Sequence, residues 1–258
     1  RSRLWTSIPH LLTGEAAYTL PCSAPSLLAL RQTLPENQLW AIDTLKTRDE
    51  GAAVAHGIQQ GIAVAVSDGT FREYSDTAAA AFVISPNIAT IEGPSVIRGE
   101  NQVPGDRFSH SSYRSELSGI LGILHSTRIL CHFHNVTSGA ITIGLDNESA
   151  IEQAKGDWPI SVTQPAWDLL QEIRHLLQLS PITCSFRWVK GHQDDFTAEA
   201  KLDNWARLNI DCDHRAKEFH NSLTTPRMHL QLQHEQWSLS LHGIKLTSFH
   251  LPSVYKDI

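Results

Sequence analysis

The chain has 258 residues, 41% of them hydrophobic, which is room for one sizeable core with appendages. Its 27 acidic and 21 basic residues give a net charge of −6, the wrong balance for a protein that grips nucleic acid by charge alone. No apolar run approaches the roughly 18 residues of a membrane span, and Arg1-Ser2-Arg3-Leu4-Trp5 has no signal-peptide core, so an intracellular setting, cytoplasmic or nuclear, is expected. The start without Met reads as a piece of something longer. Four cysteines, at 22, 131, 184 and 212, form no Cys-x-x-Cys pair and read as scattered reduced thiols. Cys131-His132-Phe133-His134 has the look of a metal tract but no partner cluster at zinc-finger spacing.

Residues 1–57 are broken by Pro21, Pro25 and Pro35 and read as a connector packed on the next domain. Pro35 opens a helix through Leu39, Ile42 and Leu45. From Gly61 the pattern sharpens. Ile62–Val66 is a short β-branched run and predicts a buried strand ending at Asp68. Thr77–Ile84 predicts a second strand, and a third is expected within Ile88–Arg98. Short links make these three an antiparallel meander.

Leu117, Ile120, Leu121 and Leu124 recur at helical spacing, with Gly119 and Gly122 allowing a close approach to a sheet. Ile141–Leu145 predicts a fourth strand that ends at Asp146, and Ser149–Lys155 a short helix. Ala166–Leu179 is amphipathic, with Trp167, Leu170, Ile173, Leu176 and Leu177 on one face and Pro181 as its stop. Thr183–Val189 predicts a fifth strand, in which Trp188 is expected to be core. Trp205, Leu208, Cys212, Ala216 and Phe219 mark a last helix. Beyond residue 223, alternating Met228, Leu230 and Leu232, then Trp237, Leu239 and Leu241, predict amphipathic strands. A lone ribbon is barely stable, so it must pack on the core, on the N-terminal segment or on a partner.

The sum is an α/β fold: a mixed five-stranded sheet, three antiparallel strands then parallel ones, flanked by helices. The expected organisation is a connector at 1–57, a catalytic domain at 58–222 and a β extension at 223–258. Two strand-end aspartates side by side, Asp68 and Asp146, sit where ligands bind in open α/β sheets. Acids do not cap buried strands uncompensated, so a divalent metal site is expected there.

The order of these acids resembles type 1 ribonuclease H, over roughly residues 60–222. Asp68-Gly69-Thr70, Arg114-Ser115-Glu116-Leu117, Leu145-Asp146-Asn147, Val189-Lys190-Gly191-His192 and the Asn209…Asp213…Ala216 frame stand in the family's order. The flavour is that of domains carried by retrotransposon reverse transcriptases. The resemblance implies hydrolysis of the RNA strand of an RNA–DNA hybrid. Asp68, Glu116, Asp146 and Asp213 would hold two Mg²⁺ ions, or Mn²⁺, roughly 3.5–4 Å apart. His192 would help protonate the leaving group or ease product release. Gly69, Thr70, Arg114, Asn147 and Lys190 would face the nucleic acid, although Asn147 suits a strand-end cap equally well. A reverse transcriptase domain in the same polyprotein is the partner this implies.

The sequence also departs from the pattern. Tyr113 stands where the family often has asparagine, and Glu148 where it often has glutamine. No basic protrusion occurs between Ser149 and Ile182, so weak substrate affinity is expected. A catalytically silent connection-type module and an integrase-like enzyme are the competing readings. Four retained acids count against the first, and the Lys190-Gly191-His192 loop with the late Asp213 against the second.

Overall fold

The structure, a computed structural model, describes residues 4–7, 20, 23–73, 75–105, 107–161, 163–228, 230–233, 235, 238–241, 244, 245 and 247. Cys22, Trp237 and Leu246 lie outside the described residues, as do the side chains of Leu239, Leu241 and Ile244. In chain order the elements are β1 (Leu4–Ser7), α1 (Leu27–Gln32), α2 (Glu36–Leu39), α3 (Ala52–Gln59), β2 (Ala63–Phe71), β3 (Ala78–Ser85) and β4 (Ile97–Gln102). They continue with α4 (Ser112–Phe133), β5 (Ala140–Leu145), α5 (Glu148–Lys155), α6 (Trp167–Leu179), β6 (Thr183–Trp188), α7 (Asn204–Ser222), β7 (Ser238–Leu241) and β8 (Ile244–Lys245).

The main sheet has five strands in the order β4-β3-β2-β5-β6. β2, β3 and β4 are antiparallel neighbours, while β5 runs parallel to β2 and β6 parallel to β5. This is the expected mixed sheet. The third strand begins later than its expected place within Ile88–Arg98. Asn87 ties that stretch into a turn by accepting the Ala89 and Thr90 N–H groups at 2.8 and 2.9 Å, and Gly93-Pro94 prolongs the break.

β2 alternates between two cores. Its Ala63 and Ala65 face the larger cluster, with Leu117, Ile120, Leu121 and Leu124 of α4. Val64 and Val66 face the smaller one, with Leu208 and Cys212 of α7. β3 is buried along its whole length, and four consecutive alanines leave little between the layers. α4 presses into that space: a Cβ on Gly122 would stand 2.4 Å from the Phe82 ring, and one on Gly119 2.7 Å from Ser67 Cβ. The two glycines that weaken α4 as a helix are therefore what seats it on the sheet. Ser111 caps its start, accepting the Arg114 N–H at 3.1 Å.

The N-terminal region is built into the main core. Leu27, Leu30, Trp40, Ile42, Val54 and Ile58 belong to the same buried cluster as α4. The helix opened by Pro35 is shorter than expected: it stops at Leu39, and turns carry the chain to Lys46, which bridges to Arg98 at the edge strand. The strand expected through Met228, Leu230 and Leu232 does not form among the described residues; the ribbon is Ser238–Leu241 with Ile244–Lys245, and Leu4–Ser7 completes it. A separate three-stranded sheet has the order β1-β7-β8, with Leu4–Ser7 antiparallel to Ser238–Leu241.

Candidate active site

The parallel pairing of β2 with β5 ends at Val66 opposite Gly144. Two residues further along each chain stand Asp68 and Asp146. Two residues is one strand period, so both acids continue the same register past the end of the pairing. Asp146 does follow its strand. Asp68, expected as a strand end, lies inside β2, which runs on to Phe71 through its antiparallel pairing with β3.

Glu116 arrives from the second turn of α4, the first turn holding no acid. Its Oε1 accepts the Gly69 N–H at 3.2 Å. A Cβ on Gly69 would stand 2.5 Å from the Ser115 carbonyl carbon, so only glycine lets the helix end come this near β2. One oxygen from each of Asp68, Glu116 and Asp146 lies within 4.8 Å of the others. They open on a cleft of about 640 Å³, also lined by Gly69, Thr70, Asn147, His192 and Asp213.

Burial, then the charges of Asp146 and Asp213, push the Asp68 carboxyl up to about 7. Burial, followed by Asp68 and Asp146, holds Glu116 well above the usual carboxylate range. Asp146 is raised by burial too, with His192 pulling the other way. Glu116 Oε2 is buried with no hydrogen-bond partner. Three hard oxygen donors, one of them unsatisfied and all resisting ionisation together, are the donor set a hard divalent cation would satisfy. The residues present fit Mg²⁺ or Mn²⁺.

Asp213 lies on the same cleft but outside that group of three. Its Oδ2 accepts from Lys217 Nζ at 2.7 Å, one helical turn along α7. His192 is exposed on the loop after β6, with φ 49°, in the left-handed region. The preceding Gly191 is packed so close that a Cβ there would be 2.4 Å from Asp146 Oδ2. Lys190 is exposed on that loop and does not line the cleft. Asn147 takes the capping role open to it, accepting the Ala150 N–H at 3.0 Å at the start of α5. Cys131-His132-Phe133-His134 forms no metal cluster among the described residues, and His134 Nε2 instead meets the Glu50 carbonyl at 2.7 Å.

Two expectations need correction. Arg114 does not face the substrate. It is buried, with Nη1 and Nη2 donating to Asp168 at 2.7 and 2.9 Å and Nε and Nη2 to the Pro104 carbonyl at 3.2 and 3.1 Å. Trp188 is not core: it is 50% exposed, lines the cleft, and donates Nε1–H to the Asp146 carbonyl at 3.0 Å. It stands at the end of β6, an edge strand largely open to solvent, where an aromatic does not imply burial. Lys217 was missed, although its spacing of four from Asp213 on one helix was readable.

No protein-family model matches the sequence, and no curated protein matches it. Among solved structures the chain is similar to LC11-RNase H1 in complex with RNA/DNA hybrid, at 13% identity and TM-score 0.41, covering 58% of this chain and 98% of that one. It is similar to RNase H1 from the halophilic archaeon Halobacterium salinarum, at 18% identity and TM-score 0.37, over 58% and 98% of the two chains. LC9-RNase H1, a type 1 RNase H with the type 2 active-site motif, overlaps 76% of this chain and 82% of its own, at 13% identity and TM-score 0.41. The overlap in shape is partial, and the functional reading rests on this chain's own strands and side chains.

Proposed function

We propose that this chain is a metal-dependent endonuclease of the ribonuclease H kind, hydrolysing the RNA strand of RNA–DNA hybrids. The observation that carries the reading is the meeting of Asp68, Glu116 and Asp146 within 4.8 Å at the end of the β2/β5 pairing. The site breaks a P–O3′ bond: water adds to phosphorus, and the products are a 5′-phosphate and a 3′-hydroxyl. Divalent ions bound there would activate the water and stabilise the leaving oxygen. Asp68, Glu116 and Asp146, with Asp213 once it is released from Lys217, are the residues that would hold these ions. His192, exposed at the cleft mouth, gives a proton to the departing 3′ oxygen or eases product release. Trp188 fixes the backbone of Asp146 through its indole N–H.

The domain works inside a cell as part of a retroelement polyprotein, beside a reverse transcriptase domain. Free thiols at Cys131, Cys184 and Cys212 support an intracellular setting. Among the described residues no helix is long and apolar enough to cross a membrane.

Incubating the chain with hybrid, duplex RNA and duplex DNA, with Mg²⁺ and with chelator, tests the proposal. Cleavage of the hybrid's RNA strand alone, lost with chelator, is expected. Cleavage of duplex DNA would sink it. One observation favours a second reading, a silent module that only holds hybrid: Lys217 already occupies Asp213. Hybrid binding without cleavage at any Mg²⁺ concentration would establish that reading instead.

A further inference from the structure

The other end of the sheet carries a second cavity, of about 710 Å³, between the N-terminal region and the start of β4. Leu27, Leu28, Leu45 and Val96 give it an apolar wall, with Leu28 52% exposed. Arg31, Lys46, Arg48, Arg98 and Arg215 line the rest. Three acids stand against these five cations. Asp211 holds Arg98 at 3.3 Å and Arg215 at 2.8 Å, and Glu100 holds Arg215 at 3.3 Å. Glu50 Oε2 accepts the Leu27 N–H at 2.6 Å. The cavity is left with two net positive charges in a chain whose total is −6.

Two cations are not satisfied by what surrounds them. Arg31 Nη1 donates to the carbonyls of Ile42 at 3.5 Å, Asp43 at 2.8 Å and Leu45 at 3.4 Å, and its charge reaches the Asp43 carboxyl, which Arg227 also pairs, but its Nε is buried with no partner. A buried donor left without an acceptor is costly. Arg48 is exposed at the rim and makes no ion pair among the described residues. Guanidinium groups match phosphate oxygens two at a time, and an apolar wall beside them suits a ring.

We propose that this cavity binds a phosphate monoester carried on a nucleoside, with the phosphate at Arg31 and Arg48 and the base against the leucines. The volume is within the range of small-ligand pockets, about 300–1,000 Å³. The same chemistry is offered by a free mononucleotide and by the 5′-phosphorylated end of a short strand. The site is separate from the acidic cleft and stands whether or not the chain cleaves hybrid.

Calorimetric titration in chelator tests it, using AMP, adenosine, inorganic phosphate, and a trinucleotide with and without its 5′-phosphate. The proteins are the wild type, Arg48→Glu and Asp146→Asn. Arg48 is exposed, so its reversal leaves the core alone, and an unchanged melting temperature verifies this. AMP is expected to bind with Kd below about 1 mM, at least about tenfold more tightly than phosphate or adenosine. Arg48→Glu weakens it by about tenfold or more, the scale of one lost charge-assisted contact. Asp146→Asn leaves it unchanged. A phosphorylated trinucleotide binding as tightly as AMP assigns the site to strand ends, and its failure assigns it to free mononucleotide. Absence of AMP binding, equal binding by Arg48→Glu, binding lost in Asp146→Asn, or phosphate binding as tightly as AMP each overturns the proposal.

Discussion

Two buried charge clusters start from α4, two residues apart, and they are built on opposite principles. Arg114 leads into a compensated network. It pairs with Asp168, Asp168 with Lys245 at 3.4 Å, and Lys245 with Glu235 at 2.6 Å. Each acid there has a cation within ion-pair distance, with only Glu235 Oε1 left without a partner, and the network ties α4 and α6 to the C-terminal extension. Glu116 leads into an uncompensated group, three carboxylates with no cation among them and one oxygen without a partner. Compensated burial serves the fold. Uncompensated burial is tolerated where a ligand brings the missing charge. Substitutions should therefore have opposite effects in the two places.

The largest expected effect is on activity. Asp68→Asn or Asp146→Asn takes hybrid cleavage below detection while the fold persists. In the metal-free protein Asp68→Asn also raises the melting temperature at pH 8, since a repelling charge is gone. Retained cleavage in either variant, by gel assay, breaks the comparison. Arg114→Met does the reverse. It takes the bidentate partner from buried Asp168, which keeps only Lys245 at 3.4 Å, and costs about 3 kcal/mol of stability in chemical denaturation, the low end for a broken buried pair. Arg114→Met with Asp168→Leu recovers most of that loss, because no orphan charge remains. His192→Ala is milder, slowing turnover by ~10²-fold, the scale of a general acid, with metal binding unchanged.

The pH dependence of stability sharpens the contrast further. Burial raises Asp68 from its ordinary value of 3.8 to about 7, and Glu116 in the same direction. Across that window the folded protein keeps protons that the unfolded chain releases. The stability so gained is fully present below the unfolded value and is lost as pH rises through the folded one. Metal-free protein should melt at progressively lower temperature from about pH 4 to about pH 7. Glu235, also raised to about 7 by burial and only partly pulled back by Lys245, adds to the trend. Asp68→Asn flattens the slope, and saturating Mg²⁺ reverses it, because metal binding needs the ionised acids. A melting temperature that climbs over this range without metal would contradict the uncompensated reading.

How much of this was legible follows the range of each interaction. The three acids were readable because each ends or opens a short local pattern, and the mixed sheet, three antiparallel strands then parallel ones, followed from the spacing of apolar runs. Arg114 was misread because its partner Asp168 is 54 positions away, and nothing local distinguishes a buried guanidinium from a steering one. Trp188 was misread because an aromatic at the end of an edge strand has the same local sequence whether a layer covers it or not. The start of β4 was misplaced because Ile88 and Ile91 look strand-like, while the turn at Asn87 that displaces them is made by side-chain hydrogen bonds. The N-terminal region was read as a connector packed on the next domain; that it shares one core with α4 was not legible, because its apolar residues are scattered over short helices brought together only in three dimensions.

The smallest expected effect concerns salt. The substrate cleft is poor in free cations: Lys217 is held by Asp213, and Arg114 is buried elsewhere. Lys190 stands outside the cleft lining, and Arg187 lies over the Trp205 ring at 4.9 Å. The cationic cavity is at the opposite end of the sheet. Few phosphates of a bound hybrid would be neutralised, and log Kobs falls by about 0.9 per neutralised phosphate per decade of salt on duplex DNA. The isolated chain, made inactive by Asp68→Asn, should therefore bind hybrid weakly with a slope of about −2 or shallower. The same domain fused to a reverse transcriptase domain would bind far more tightly, since the second module supplies contacts and raises effective concentration. Fluorescence anisotropy across salt concentrations measures both. Tight binding with a steep slope by the isolated chain would mean that the cations at the far cavity also reach the hybrid, and that the two ends of the sheet act as one surface.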